Sequence, residues 1–208
     1  MKKYLAEFIG TFFLVLTIGC TVIGGGAGVI PPLAIGASLM VMIFAGGHVS
    51  GGHFNPAVTV GVWLRGRCDT KDVPGYFAAQ LLAAIVAACV VKYLRPAVAV
   101  TAMSPVLGPA FVAEFLFTFA LVYMVLNVAT SKDTAGNSFY GLAIGMTVMV
   151  GAFAVGNISG GAFNPAVAVG VSVMGLSAWP NLWLYLVAEL VAAGVAAMTF
   201  KFLNPADK

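Results

Sequence analysis

From Phe8 to Leu64 the chain carries no Asp, Glu, Lys or Arg, and the stretch from Thr134 to Ala188 is equally bare. A domain folded in water has about 25% charged residues, and this 208-residue chain has 8%, against 61% hydrophobic. Long uncharged runs of this kind are read as membrane spans, each needing about 20 apolar residues. Six full spans fit the sequence, at roughly 4–23, 33–48, 75–94, 109–129, 138–156 and 180–203. Lys2-Lys3 followed by an apolar run imitates a cleavable signal, but Glu7 interrupts the run. The run also begins a repeat, so it is taken as the first span. A net charge of +3 is too small to point to nucleic acid as a partner.

Ser-Gly-Gly-X-Phe-Asn-Pro-Ala-Val occurs twice, at 50–58 and 159–167. The offset, 164 − 55 = 109, also carries Leu33-Ala34-Ile35-Gly36 onto Leu142-Ala143-Ile144-Gly145 and Tyr76 onto Tyr185. Each copy opens a half span, at Asn55 and at Asn164, of about ten residues with a rise of about 1.5 Å each, too short to cross alone. Two such segments entering from opposite faces meet near the midplane and together make a seventh crossing.

The resulting fold class is an all-α integral membrane protein of six transmembrane helices plus two re-entrant half helices. Its halves, about 1–95 and 109–204, form an inverted repeat within one domain, 1–208. With both ends cytoplasmic, Lys2, Lys3, Arg65, Arg67, Lys71, Lys132, Lys201 and Lys208 fall inside and only Lys92 and Arg95 outside. That distribution follows the positive-inside rule for a multi-pass protein of the cell (plasma or inner) membrane. Small residues at helix-contact spacing support a compact bundle: Ala79, Ala83, Ala84, Ala87 and Ala88 in the third span, and Ala188, Ala192, Ala193, Ala196 and Ala197 in the sixth.

Asn is a favoured N-cap, and Pro suits the first helical position because its missing N–H needs no partner there. Asn55-Pro56-Ala57 and Asn164-Pro165-Ala166 therefore each begin a helix. The Gly-rich approaches are irregular backbone, tolerated at membrane depth only where buried or lining a polar path. The expected ladder of carbonyl acceptors comes from Gly51, Gly52 and His53 in one copy and Gly160, Gly161 and Ala162 in the other. Each helix N-terminus carries roughly half a positive charge. Two of them about 5 Å from a monovalent cation, at an effective dielectric of about 20, repel it by about 3 kcal/mol. A neutral hydroxyl-bearing molecule meets no such barrier. An anion-binding helix pair or a plain re-entrant fold is the competing reading of the same caps.

Paired Asn-Pro-Ala with six spans resembles the aquaporin (major intrinsic protein) family over nearly the whole chain. Ser50-Gly51-Gly52-His53-Phe54-Asn55-Pro56-Ala57-Val58-Thr59 is similar to that family's first signature almost letter for letter. Ala6-Glu7-Phe8 and Ala113-Glu114-Phe115 resemble its paired glutamates on the first and fourth spans. The resemblance implies a homotetramer in the lipid bilayer with one pore per subunit. It also implies selectivity by half-helix dipoles and a constriction Arg, as in aquaporin-type pores generally. The chain departs from the family at that constriction. Val167 stands where Arg usually follows the second Asn-Pro-Ala, and spacing from the Asn residues puts the other filter positions at Ile35, Ala152 and Gly161. Water-selective relatives often have an aromatic at the first of these and His at the second.

The resemblance therefore implies a passive channel of aquaglyceroporin type, wider than a strict water pore. Its candidate solutes are water, glycerol, urea, hydrogen peroxide, ammonia and neutral metalloid acids such as arsenous acid. Some bacterial aquaglyceroporins linked to arsenical handling are similar in having Val for the Arg. With no filter Arg, a carbonyl at Gly161 is expected to be the only polar group there, and apart from the repulsion at the Asn pair little opposes a small leak of protons or cations.

Glu7 and Glu114, inside apolar spans, are expensive unless bonded. By the resemblance they accept from loop N–H groups and hold the half helices; a proton relay is the alternative. Glu189, opposite Gln80 at the offset, is read as a further loop-supporting brace, against a titratable gate. His53 is expected to brace its loop; His48 is a polar loop contact or a pH sensor. Cys20, Cys68 and Cys89 lack metal or redox spacing, and Cys20 and Cys89 are expected as small buried hydrophobes. No nucleophile stands at a motif spacing from a base, so no enzyme activity, metal or cofactor is expected. A secondary transporter of a small solute shares inverted repeats and broken helices. A non-conducting junction-type protein of the same fold is the other alternative.

Overall fold

The computed structural model describes residues 1–24 and 28–207. Lys208, counted above among the inner-side charges, lies outside the described residues. Among the described residues, eight α-helices form the bundle: α1 (Lys2–Val22), α2 (Ile30–Ser50), α3 (Pro56–Leu64), α4 (Val73–Leu94), α5 (Leu107–Val125), α6 (Tyr140–Ser159), α7 (Pro165–Met174) and α8 (Leu182–Leu203). Six of them, all but α3 and α7, are long and apolar enough to cross a membrane. The fourth span continues past α5 as a π-helical turn, Leu126–Thr130, where Asn127 Nδ2 donates to Tyr123 O (2.7 Å) and Thr130 Oγ1 to Leu126 O (2.6 Å). Periodicity alone places no such widening.

The two halves interlock. Within each half the first span packs on the next two long helices, α1 on α2 and α4, α5 on α6 and α8. Each half helix crosses over, so that α3 packs on α8 and α7 on α4. The small-residue stripes make that possible: of the ten alanines named above, all but Ala79 are buried. The other junction is α2 on α6. There Gly36 and Gly145, the last residues of the repeated Leu-Ala-Ile-Gly, bring backbone onto backbone. A Cβ at Gly36 would stand 2.7 Å from the Gly145 carbonyl oxygen, and one at Gly145 2.5 Å from that of Gly36.

Basic side chains sort to the two ends of the bundle. At one end Lys3 pairs with Asp72, and Arg65 and Arg67 reach Asp207 at 2.7 and 3.6 Å. Lys132 N donates to Asp207 Oδ2 there (3.0 Å), and Arg65 lies over the Phe200 ring at 4.7 Å. The Lys132 N–H, helped by Ser131 and Arg65, holds the Asp207 carboxyl below the usual carboxylate range. At the other end Lys92 and Arg95 donate to the carbonyls of Val173 and Cys20. The flanks between are apolar, with Leu5, Phe13, Leu82, Leu116, Val150 and Val191 among the exposed side chains. Cys89 corrects one expectation. It is exposed on α4, because Ala84, Ala87, Ala88 and Val91 take the inward face, and Cys20 is half-buried.

Candidate pore site

Asn55 and Asn164 cap α3 and α7 as their residue types require. Asn55 Oδ1 accepts from Ala57 N at 2.8 Å; Asn164 Oδ1 accepts from Ala166 N at 2.9 Å and Val167 N at 3.4 Å. Pro56 and Pro165 occupy the first helical positions. The side-chain amides then cross between halves: Asn55 Nδ2 donates to Phe163 O (2.8 Å) and Asn164 Nδ2 to Phe54 O (2.9 Å). Those carbonyls point across because Phe54 and Phe163 sit in the left-handed region, at φ 48° and 49°. That conformation is costly for a bulky residue, on the order of 1–3 kcal/mol each.

Buried carboxyls hold the strained turns. Glu7 Oε1 accepts from Ser50 Oγ (2.6 Å) and His53 N (2.9 Å), and Oε2 from Phe54 N (2.6 Å) and Gln80 Nε2 (2.8 Å). Glu114 repeats the pattern, accepting from Ala162 N (3.1 Å) and Phe163 N (2.7 Å). Tyr76 and Tyr185, equivalent by the offset, donate to Ser50 O and Ser159 O, each at 2.6 Å. His53 Nδ1 meets Thr59 Oγ1 at 3.1 Å, and its ring lies 4.8 Å from that of Tyr76.

The halves differ at Gln80 and Glu189. Gln80 bridges Glu7 and Thr59, but its counterpart Glu189 lies beside Glu114 and the Asn164 N–H. Neither Glu189 oxygen has a hydrogen bond of good geometry among the described residues, although the side chain is fully buried.

Two cavities meet at this site. The narrow one, about 370 Å³, is lined by Asn55, Asn164 and all four filter positions, Ile35, Ala152, Gly161 and Val167, with His53, Gly160 and Ala162. No Asp, Glu, Lys or Arg is among its described lining residues. Leu14, Leu39, Val148 and Val171 contribute an apolar wall. The wide one, about 920 Å³, opens at the end that holds Lys3, Asp72 and Lys132, and is lined by Gly51 and His48 among others. His53 and Val125 belong to both. Gly52 is buried against Gly47 of α2 and lines neither. Thr101, Met103, Ser177 and Tyr185 also line the narrow cavity, whose polar groups therefore extend beyond the Gly161 carbonyl. Sequence reasoning missed the first three because they lie in connections outside both the repeat and the spans.

Six crossings, two half helices and a passage with no charged side chain among its described lining, where the helix N-termini meet, define a membrane channel. The Major intrinsic protein family profile matches residues 1–200, and the chain belongs to that family. It is 40% identical over 217 residues to Glycerol uptake facilitator protein-like 6 of Lactiplantibacillus plantarum, covering 100% of both chains. It is 36% identical over 226 residues to Aquaporin NIP3-1 of Arabidopsis thaliana, covering 100% of this chain and 69% of that one. Among solved structures it resembles the aquaglyceroporin from Plasmodium falciparum, with a TM-score of 0.80 and 25% identity over 96% of this chain and 94% of that one.

Proposed function

We propose that this chain is a passive channel for water and small neutral solutes, glycerol foremost. Urea, hydrogen peroxide, ammonia and neutral metalloid acids such as arsenous acid belong to the same permeant class. The observation that carries this reading is the narrow cavity: it has no charged residue among its described lining and takes in both Asn55 and Asn164. An ion entering it sheds water without a counter-charge, and a cation also meets two helix N-termini. A polyol presents hydroxyls to backbone carbonyls and Asn amides on one side and carbons to Leu and Val on the other. The names of the Lactiplantibacillus and Plasmodium proteins point the same way.

In this reading Ile35, Ala152, Gly161 and Val167 form a wide, apolar filter, and Val167 supplies neither the donors nor the charge of an Arg. The paired Asn-Pro-Ala segments exclude charge, and Glu7, Glu114 and Glu189 support the loops that carry them. Residues 1–208 act as a single channel domain. The functional unit is a homotetramer in the cell (plasma or inner) membrane. Both termini face the cytoplasm, which accords with Lys3, Arg65, Arg67 and Lys132 gathering at one end of the bundle.

The test is stopped-flow light scattering of proteoliposomes under glycerol and sucrose gradients. Shrinkage followed by rapid re-swelling in glycerol alone, with initial rates linear in the gradient, is the expected result. Saturation at low glycerol would mark a transporter, and osmotic permeability no greater than empty vesicles a non-conducting protein.

A further inference from the structure

The proposed filter contains no side chain longer than Ile35, yet its mouth framed by Val22 and Pro31 is not bare. The connection between α4 and α5 reaches it through Thr101 and Met103. Met103 N donates to Leu176 O at 2.9 Å, and Met103 pairs with Ser177 in an isolated parallel bridge just beyond the end of α7. The backbone thus fixes where residue 103 stands, independently of its side chain. The side chain lines the narrow cavity, and its sulfur lies 3.7 Å from where a Cβ on Gly160 would be. It therefore covers the turn that leads into Gly161. Thr101, two residues earlier in the same extended segment, lines the same cavity, as the alternation of an extended chain allows. Of the other large groups at this level, Tyr185 is tied by its hydroxyl to Ser159 O at 2.6 Å. Met103 has no such tie, and a thioether chain with three rotatable bonds adapts its shape to what passes.

We infer that Met103 sets the upper size limit for neutral polyols at this mouth, filling the part of the cross-section that Val167 leaves open. The inference rests on the channel reading above. Apolar crowding discriminates between solutes differing by one carbon unit by about tenfold or more, which is the scale of effect to expect.

The test compares wild type, Met103→Ala and Met103→Leu in proteoliposomes, measuring uptake of glycerol and of erythritol, one carbon longer, alongside osmotic water flux. The erythritol-to-glycerol ratio should rise about tenfold in Met103→Ala and stay near the wild-type value in Met103→Leu, with water flux retained in both. Glycerol flux in wild type with the same ratio in Met103→Ala would overturn this inference alone. Loss of water flux in Met103→Ala with Met103→Leu intact would overturn it too, by making residue 103 structural. Absence of glycerol flux in wild type would overturn the glycerol reading and this inference with it.

Discussion

Asn164 donates its side-chain amide to the carbonyl of Phe54 at 2.9 Å, and the bond is returned by Asn55 to Phe163 at 2.8 Å. Each half helix is thereby capped by its own Asn and clasped by the other's. The cap aligns the helix N-terminus with the cavity, and the clasp fixes the separation of the two N-termini. Both functions rest on the same two side chains.

Replacing both Asn residues by Ala removes caps worth about 1 kcal/mol each and leaves the Phe54 and Phe163 carbonyls without those partners, at about 1–3 kcal/mol each. The double variant should unfold at lower temperature and conduct protons measurably under a pH gradient. Proton conductance equal to wild type in correctly inserted protein would contradict the electrostatic account.

Glu114→Ala should be far more damaging than Glu189→Gln. The first leaves the Ala162 and Phe163 N–H groups unpaired beside a strained turn, at about 1–3 kcal/mol each. The second places beside Glu114 the amide that Gln80 already offers Glu7 at 2.8 Å. Thermal stability in detergent should fall in Glu114→Ala and match or exceed wild type in Glu189→Gln. A destabilised Glu189→Gln would show that this carboxyl does something an amide cannot.

Gly145→Val should prevent assembly of α2 on α6. Even the first carbon of the new side chain would stand 2.5 Å from the Gly36 carbonyl oxygen, so the helices must separate, at about 1–3 kcal/mol or more. Size-exclusion profiles should show aggregation, whereas Gly108→Ala, where an added Cβ meets nothing within 4 Å, should be neutral.

Asp207 is held below its ordinary pKa, first by the Lys132 N–H. A depressed carboxyl contributes stability that is fully present above its unfolded value and is lost as pH falls through the folded one. Asp207→Asn should therefore lower thermal stability at neutral pH, and the difference from wild type should vanish in strong acid. An equal difference at every pH would remove charge from the explanation.

The fold was legible because its strongest signals are physical necessities. Charge-free runs longer than a bilayer crossing have few other destinations, and Asn-Pro after a Gly-rich approach starts a helix wherever it falls. The 109-residue offset also paired Tyr76 with Tyr185, and the shared Ala-Glu-Phe triplet paired Glu7 with Glu114. What stayed hidden has no periodicity to betray it. Met103 reaches the narrow cavity through one backbone bond to Leu176, and Asp207 joins two loops from the far end of the chain. At the π turn, Leu126–Thr130, side chains bond back to the carbonyls of Tyr123 and Leu126, contacts that a hydropathy pattern does not show. The exposure of Cys89 follows from which face of α4 the alanines claim, which is a property of the assembled bundle.

We propose that Val167, in place of an Arg, makes this passage admit glycerol as well as water. Restoring the Arg tests it most directly. Stopped-flow measurement of Val167→Arg against wild type should show glycerol flux reduced much more than water flux. Equal changes in the two fluxes would contradict the assignment of this filter.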